Sequence, residues 1–173
     1  MDLEKCIRGR RSVRGFRKTE IPPALLDHLV DALRWAPSAG NLQSRRFYFV
    51  FDLALRRELA RAAERQTFVA RAPLVVVACA DHRIAREYEQ RGVELYCHMD
   101  VAASLQNLML VAHAHGLATC WIGAYDPDLL RQALSLKDNE IVYSITPLGY
   151  PKEGFVKKGN KKRKEISEIV ELL

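Results

Sequence analysis

Five arginines fall within the ten residues Arg8-Gly9-Arg10-Arg11-Ser12-Val13-Arg14-Gly15-Phe16-Arg17, and a second cationic run, Lys161-Lys162-Arg163-Lys164, lies near the far end of the chain. Guanidinium groups grip phosphate oxygens through paired N–H donors, and a neighbouring serine hydroxyl adds a short hydrogen bond, so this combination holds a dianion more specifically than lysines do. Three readings compete for the first run: a targeting presequence, an arm for nucleic acid, and a pocket for one small phosphate. Asp2 and Glu4, with no apolar run behind them, fit neither a secretory nor an organellar leader. A nucleic-acid surface calls for base-reading or aromatic side chains on a suitable fold, and the sequence offers no such pattern. Plain solvation of two charged ends is the remaining alternative to the phosphate pocket.

Other chemistry is sparsely signalled. There is no GxGxxG after a strand, no GxxxxGK[ST], no GxSxG and no HExxH. His28, His82, His98, His113 and His115 form no ligand cluster by spacing; His28 and His82 read as surface residues, and His113 and His115, two apart on a helix, point in different directions. Cys6, Cys79, Cys97 and Cys120 are scattered without a CxxC pair, so neither a zinc site nor a disulfide framework is expected, and a reducing cytoplasm is the simplest home. No metal site is expected.

The elements that must position these residues fit one α+β domain spanning residues 1–173. The 49% hydrophobic and 28% charged fractions exclude a largely disordered chain, and the net charge of +6 favours anionic partners. The longest apolar runs, such as residues 74–80, fall far short of the roughly 20 residues a membrane-spanning helix requires. Periodicity and punctuation predict helices over 5–12, from Pro22-Pro23 to Pro37, over 53–66, over 93–115 and from Asp126-Pro127 to 134. Strands are predicted over 47–51, 74–80, 117–124 and 140–145, with a loop at 37–43 and a turn at Pro147-Leu148-Gly149.

Four segments in order, Arg10-Arg11-Ser12-Val13-Arg14-Gly15-Phe16, Ala36-Pro37-Ser38-Ala39-Gly40-Asn41-Leu42-Gln43, Gly116-Leu117-Ala118-Thr119-Cys120-Trp121-Ile122-Gly123 and Pro147-Leu148-Gly149-Tyr150-Pro151, resemble the signatures of the FMN-dependent nitroreductase family. They span nearly the whole chain, which resembles a compact member without the extra helical insertions of longer relatives. The resemblance implies a mixed central sheet of about four to five strands wrapped by helices, in an intertwined homodimer with FMN at the subunit interface. It implies phosphate and ribityl contacts from Arg10, Arg11 and Ser12, a basic position near the flavin at Arg14, and further phosphate contacts from Lys161 and Arg163. Ser38, Ala39, Gly40, Asn41 and Gln43 would come from the partner subunit, Asn41 facing the pyrimidine edge, with Pro37 in the same cofactor-binding loop. Ile122 and Gly123 would bring backbone close to the ring, glycine permitting an approach that a side chain would block.

The implied activity is NADH- or NADPH-dependent reduction of a small acceptor, a nitroaromatic or a quinone, in a ping-pong cycle. The hydride chemistry belongs to the flavin, so no catalytic protein nucleophile is called for, and Arg14, Asn41 and Gly123 would tune the flavin. Flavin fragmentation or reductive dehalogenation on the same fold is the alternative chemistry; nucleic acid and membrane are not expected partners. One departure stands out: where the family commonly has proline and tryptophan after the asparagine-x-glutamine, this chain has Ser44, Arg45 and Arg46. The two arginines are expected to be surface cations at the mouth of the site, favouring acidic substrates or the phosphates of the nicotinamide donor.

Overall fold

Leu-Val-Val-Val-Ala-Cys-Ala has no polar alternation, and the strand it forms, β2 (Leu74–Asp81), is buried at every position. The computed structural model describes residues 2–156 and 162–173. In it β2 lies between β1 (Arg45–Val50) and β4 (Glu140–Gly149), with the short β3 (Ala118–Thr119) beyond β4, giving the order β1-β2-β4-β3. All three pairings are antiparallel. The expected mixed sheet is therefore antiparallel through its named strands, and among the described residues the parallel contact is one bridge from Ser12 to Thr119.

Successive β2 side chains enter two cores on opposite faces of the sheet. Leu74, Val76, Ala78 and Ala80 meet Val101, Leu105 and Leu108 of α6 (Cys97–Ala114), backed by Leu25, Leu29 and Leu33 of α2 (Pro23–Arg34). Val75, Val77 and Cys79 meet Leu59 of α3 (Leu53–Ala62), Val69 of α4 (Phe68–Arg71) and Leu130 of α7 (Pro127–Leu134). Each fully buried aliphatic side chain here is worth about 1.5–3 kcal/mol. Helix starts follow local chemistry: the Asp52 carboxylate accepts from Leu55 N, and that of Asp126 accepts from Asp128 N and Leu129 N ahead of Pro127 in the first turn. At the N-terminus α1 (Leu3–Gly9) packs on α6, where Cys6 Sγ donates to Leu110 O at 3.0 Å.

Several predicted boundaries move. The strand expected over 117–124 pairs only at Ala118–Thr119, then again at an isolated bridge from Ile122 to Ile145. Between them Cys120 N donates to Pro147 O at 3.4 Å, and Pro147 has no N–H to return the bond, so the ladder breaks there. The turn expected at Pro147-Leu148-Gly149 is strand, because β4 runs on to Gly149. The helix expected to reach 66 stops at Ala62, as Glu64 and Arg65 take left-handed φ of 53° and 58°. The long helix opens as a π segment, Gly92–Tyr96, before α6 begins. Periodicity did not signal α4 or α5 (Ala85–Arg91). In β4 the register shifts so that Ser144 faces Ala78 and Val142 faces Cys79; the bulged residue is Tyr143, whose ring is re-aimed against Trp121.

Candidate functional site

The Asp2 carboxylate caps α1, and the chain leaves the helix at Arg10, with φ −57° and ψ 132°. The helix predicted to reach Ser12 thus ends three residues early, which lays Arg10, Arg11 and Ser12 along an extended segment. Buried Val13 anchors it: Val13 N donates to Thr119 O at 3.0 Å, beside the Ser12–Thr119 bridge. The Arg11 guanidinium is oriented by Nη1 donating to Arg8 O and, at 3.0 Å, to Arg10 O.

Arg163, from the far end of the chain, lies near enough to act electrostatically on Arg10. The Arg10 guanidinium is held below its usual pKa, first by burial and then by the positive charges of Arg11 and Arg163. His113, on the last turn of α6, is pushed down as well, by burial and then by Arg10 and Arg11. Three chain segments thus bring cations and one imidazole within electrostatic reach of each other. Among the described residues, the ion pairs join Arg46 to Glu140, Arg61 to Glu58 and Arg83 to Asp81, none of them drawing on Arg10 or Arg163. Such a cluster suits a small polyvalent anion. Lys161 lies outside the described residues. Arg14 is exposed, its guanidinium 5.9 Å from the Phe68 ring, and it lines a cleft of about 1060 Å³ with Arg17, Arg56, Arg71 and Lys152.

From Thr119 the backbone leads through half-buried Trp121 and buried Ile122 to exposed Gly123. No feature of the chain itself calls for glycine at 123. Its φ is outside the left-handed region, and a Cβ placed there would have open space around it. Beside the arginine segment there is therefore a stretch of bare backbone facing outward.

The loop at residues 37–43 is built differently, and tightly. Gly40, Asn41 and Gln43 adopt φ of 53°, 56° and 53°, a conformation costing a non-glycine residue about 1 kcal/mol or more. Glycine suits position 40 because of its left-handed φ, and a Cβ there would also push on the Tyr88 hydroxyl at 2.6 Å. Gln43 N donates to Ser38 Oγ at 3.1 Å, and Ala39 N donates to Asp100 Oδ1 at 2.9 Å; Asp100 is buried, and its Oδ2 has no partner among the described residues. Arg45 braces the loop from behind, donating to Arg34 O at 3.0 Å, Ala36 O at 2.8 Å and Pro37 O at 3.0 Å. Burial lowers its pKa against the opposing field of Asp100. Pro37, Asn41 and Gln43 remain exposed, presenting the amides of Asn41 and Gln43 on a stiff frame.

Arg46 lies at the surface as expected, whereas Arg45 is half-buried, and both cations are engaged within the chain. Arg45 is spent on carbonyls, and Arg46 pairs with buried Glu140 at 3.2 Å and lies over the Tyr48 ring. His82 also departs from its surface reading: it is half-buried, and its Nε2 is fully enclosed without a hydrogen-bond partner. His28 stacks on His115, with ring centroids 5.3 Å apart.

The arginine segment and the loop sit toward opposite ends of α6, one near His113 and the other on Asp100. Thirteen residues at 1.5 Å rise separate those anchors by about 20 Å. Sequence reasoning missed Asp100, which left a signal as the one acidic residue of α6, and it gave His113 no place beside the arginines and Arg45 no bracing role.

Comparison with known proteins decides the family. The sequence profile of the nitroreductase family matches residues 7–69 and 60–150, most of the chain. The chain belongs to the nitroreductase family. It is 30% identical over 181 residues to an NADH dehydrogenase of Thermus thermophilus, covering 88% of each chain. It is 26% identical over 171 residues to an FMN reductase [NAD(P)H] of Bacillus subtilis, covering 91% of this chain and 69% of that protein. Among solved structures, a nitroreductase family protein from Clostridium novyi NT superposes with a TM-score of 0.81 at 28% identity, covering 91% of this chain and 89% of that one. This nitroreductase-family chain is an oxidoreductase, with the family's four-stranded α+β fold. No helix among its described residues is long and apolar enough to cross a membrane.

Proposed function

We propose that this oxidoreductase binds FMN, takes a hydride from NADH or NADPH, and passes the electrons to a small acceptor such as a nitroaromatic or a quinone. The observation that carries the reading is the junction of the Arg10–Arg11–Arg163 cluster, through the segment leading out of β3, with the open backbone at Gly123. A phosphate and a flat ring on one molecule would satisfy both features. When bound, FMN supplies the two-electron chemistry, accepting hydride from the nicotinamide and releasing the electrons to the acceptor.

The chain's own residues hold, orient and exclude. Arg10, Arg11 and Arg163, with Lys161 beside them in sequence, neutralise the phosphate, and the Ser12 hydroxyl adds a hydrogen bond. Gly123 lets the backbone approach the ring face, and Ile122 closes the site from the sheet side. Asn41 and Gln43 supply amide donors to the polar edge, where stabilising negative charge favours reduction. Separation of the loop from the arginines along α6 supports a site completed by the loop of a second copy, in a homodimer. Arg14, set over Phe68, is better suited to drawing in anionic ligands than to touching the ring.

The test is anaerobic: protein loaded with FMN should lose its visible flavin absorption on addition of NADH or NADPH and regain it when a quinone or nitroaromatic follows. Protein that stays colourless after FMN addition rules the reading out. Coloured protein that neither donor bleaches keeps the flavin but removes the nicotinamide step.

A further inference from the structure

We propose that His82, Cys97 and His98 form a binding site for a borderline divalent ion of the zinc class, placed where the end of β2 meets the start of α6. One ligand atom from each of the three side chains lies within 4.8 Å of the other two, and they are the one such group among the described residues. The juxtaposition is made by rigid elements: His82 opens the single turn that follows β2, and Cys97 and His98 open α6. Cys97 is wholly buried, and the imidazoles of His82 and His98 are half-buried.

The second observation is an orphan. Among the described residues Nε2 of His82 is shut away from solvent with no hydrogen-bond partner, which leaves a buried polar atom unsatisfied. A metal ion satisfies an enclosed imidazole nitrogen without needing a proton on it. Two imidazoles with one thiolate are the donor set of a tetrahedral zinc-type centre, and three protein ligands leave the fourth position to water. Oxygen-seeking ions such as magnesium and calcium are poorly served by it. Asp81 and Asp100 lie close enough to act electrostatically on His82 and Cys97 respectively, and so offset the ion's charge. The ring of Tyr143 packs at 5.4 Å on His98 and limits its freedom.

Binding exchanges a proton for the metal. Cys97 Sγ now donates to Val93 O at 3.2 Å; on metal binding the S–H bond breaks, the sulfur–metal bond forms, and the proton passes to solvent, with no change in oxidation state. None of the three ligands belongs to the arginine cluster or to the loop at 37–43, so the site stands or falls independently of the FMN reading.

The test titrates full-length protein, stripped with a chelator, with Co2+ and then Zn2+, reading difference spectra against the metal-free protein. One equivalent of cobalt per chain should give a thiolate-to-metal charge-transfer band and the strong visible bands of a tetrahedral ion, both abolished by one equivalent of zinc. Cys97→Ser should remove the charge-transfer band. His82→Ala and His98→Ala should each weaken binding by at least about tenfold, since loss of even an outer hydrogen bond to a ligand costs that much. Should Cys97→Ser fail to fold, the wild-type spectrum and the histidine variants decide. A wild-type spectrum without the charge-transfer band, substoichiometric cobalt, or affinity unchanged in both histidine variants overturns the site.

Discussion

At the scale of single residues, Gly123 separates a demand of the fold from a demand of a ligand. Its backbone is not left-handed and a Cβ would strike nothing, so Gly123→Ala is expected to leave the midpoint of thermal unfolding unchanged or slightly higher. The same variant should weaken FMN binding at least about tenfold, read by fluorescence titration; unchanged affinity would remove Gly123 from the cofactor site. The residues that make up the arginine cluster were legible because arginine and serine side chains carry their chemistry in their type. Arg45 was misread for the same reason. Its charge suggested a ligand, whereas its position behind the loop commits it to three carbonyl oxygens. His82, Cys97 and His98 could not be grouped from spacing, since a strand end and a helix start are brought together only by folding.

At the scale of elements, the loop at 37–43 and strand β1 depend on buried polar groups. Arg45→Ala removes charge-assisted bonds worth about 1.5–3 kcal/mol each at most, less solvent competition at a half-exposed site. A loss of about 1–3 kcal/mol in denaturant unfolding is expected, with a parallel loss of FMN affinity as the loop relaxes. If stability stays within 0.5 kcal/mol of wild type, by the usual scale of surface substitutions, Arg45 does not brace the loop.

On β1 the Tyr48 hydroxyl donates to Glu140, and its pKa is raised from 10.0 to about 12 by burial, then by the Glu140 hydrogen bond and charge. The folded value lies above the unfolded one, so the neutral hydroxyl's contribution to stability is complete below about pH 10 and is lost as pH rises through about 12. Stability measured across that range should fall more steeply for wild type than for Tyr48→Phe; parallel curves would show that Tyr48 does not carry the alkaline transition. Strand β2 and helices α2, α6 and α7 were legible from apolar runs, periodicity and caps. The break at Pro147, the bulge at Tyr143 and the π segment before α6 were not, because each depends on a partner strand or a packed neighbour.

At the scale of the whole molecule, the C-terminal stretch exposes Ile166, Ile169, Val170, Leu172 and Leu173 on a single chain. Apolar surface of this kind is costly in water and gains about 25 cal/mol for each Å² covered. The proposed homodimer gives it cover and would bring the loop of one copy to the arginines of the other. Light scattering should return twice the chain mass, and removal of residues 165–173 should shift it toward monomer with loss of FMN retention; a stable wild-type monomer that retains FMN would contradict shared sites.

The claim that joins these scales is that Arg10, Arg11 and Arg163 gather to hold the phosphate of a flavin. Its most direct test compares binding of FMN with binding of riboflavin, which has the same ring and ribityl chain without the phosphate. Wild type should prefer FMN by at least about a hundredfold, the low end of what two charge-assisted hydrogen bonds are worth. Arg10→Ala combined with Arg163→Ala should bring the two ligands to within a few fold by weakening FMN alone. Equal affinity of wild type for FMN and riboflavin, or a preference that survives the double substitution, would contradict the account.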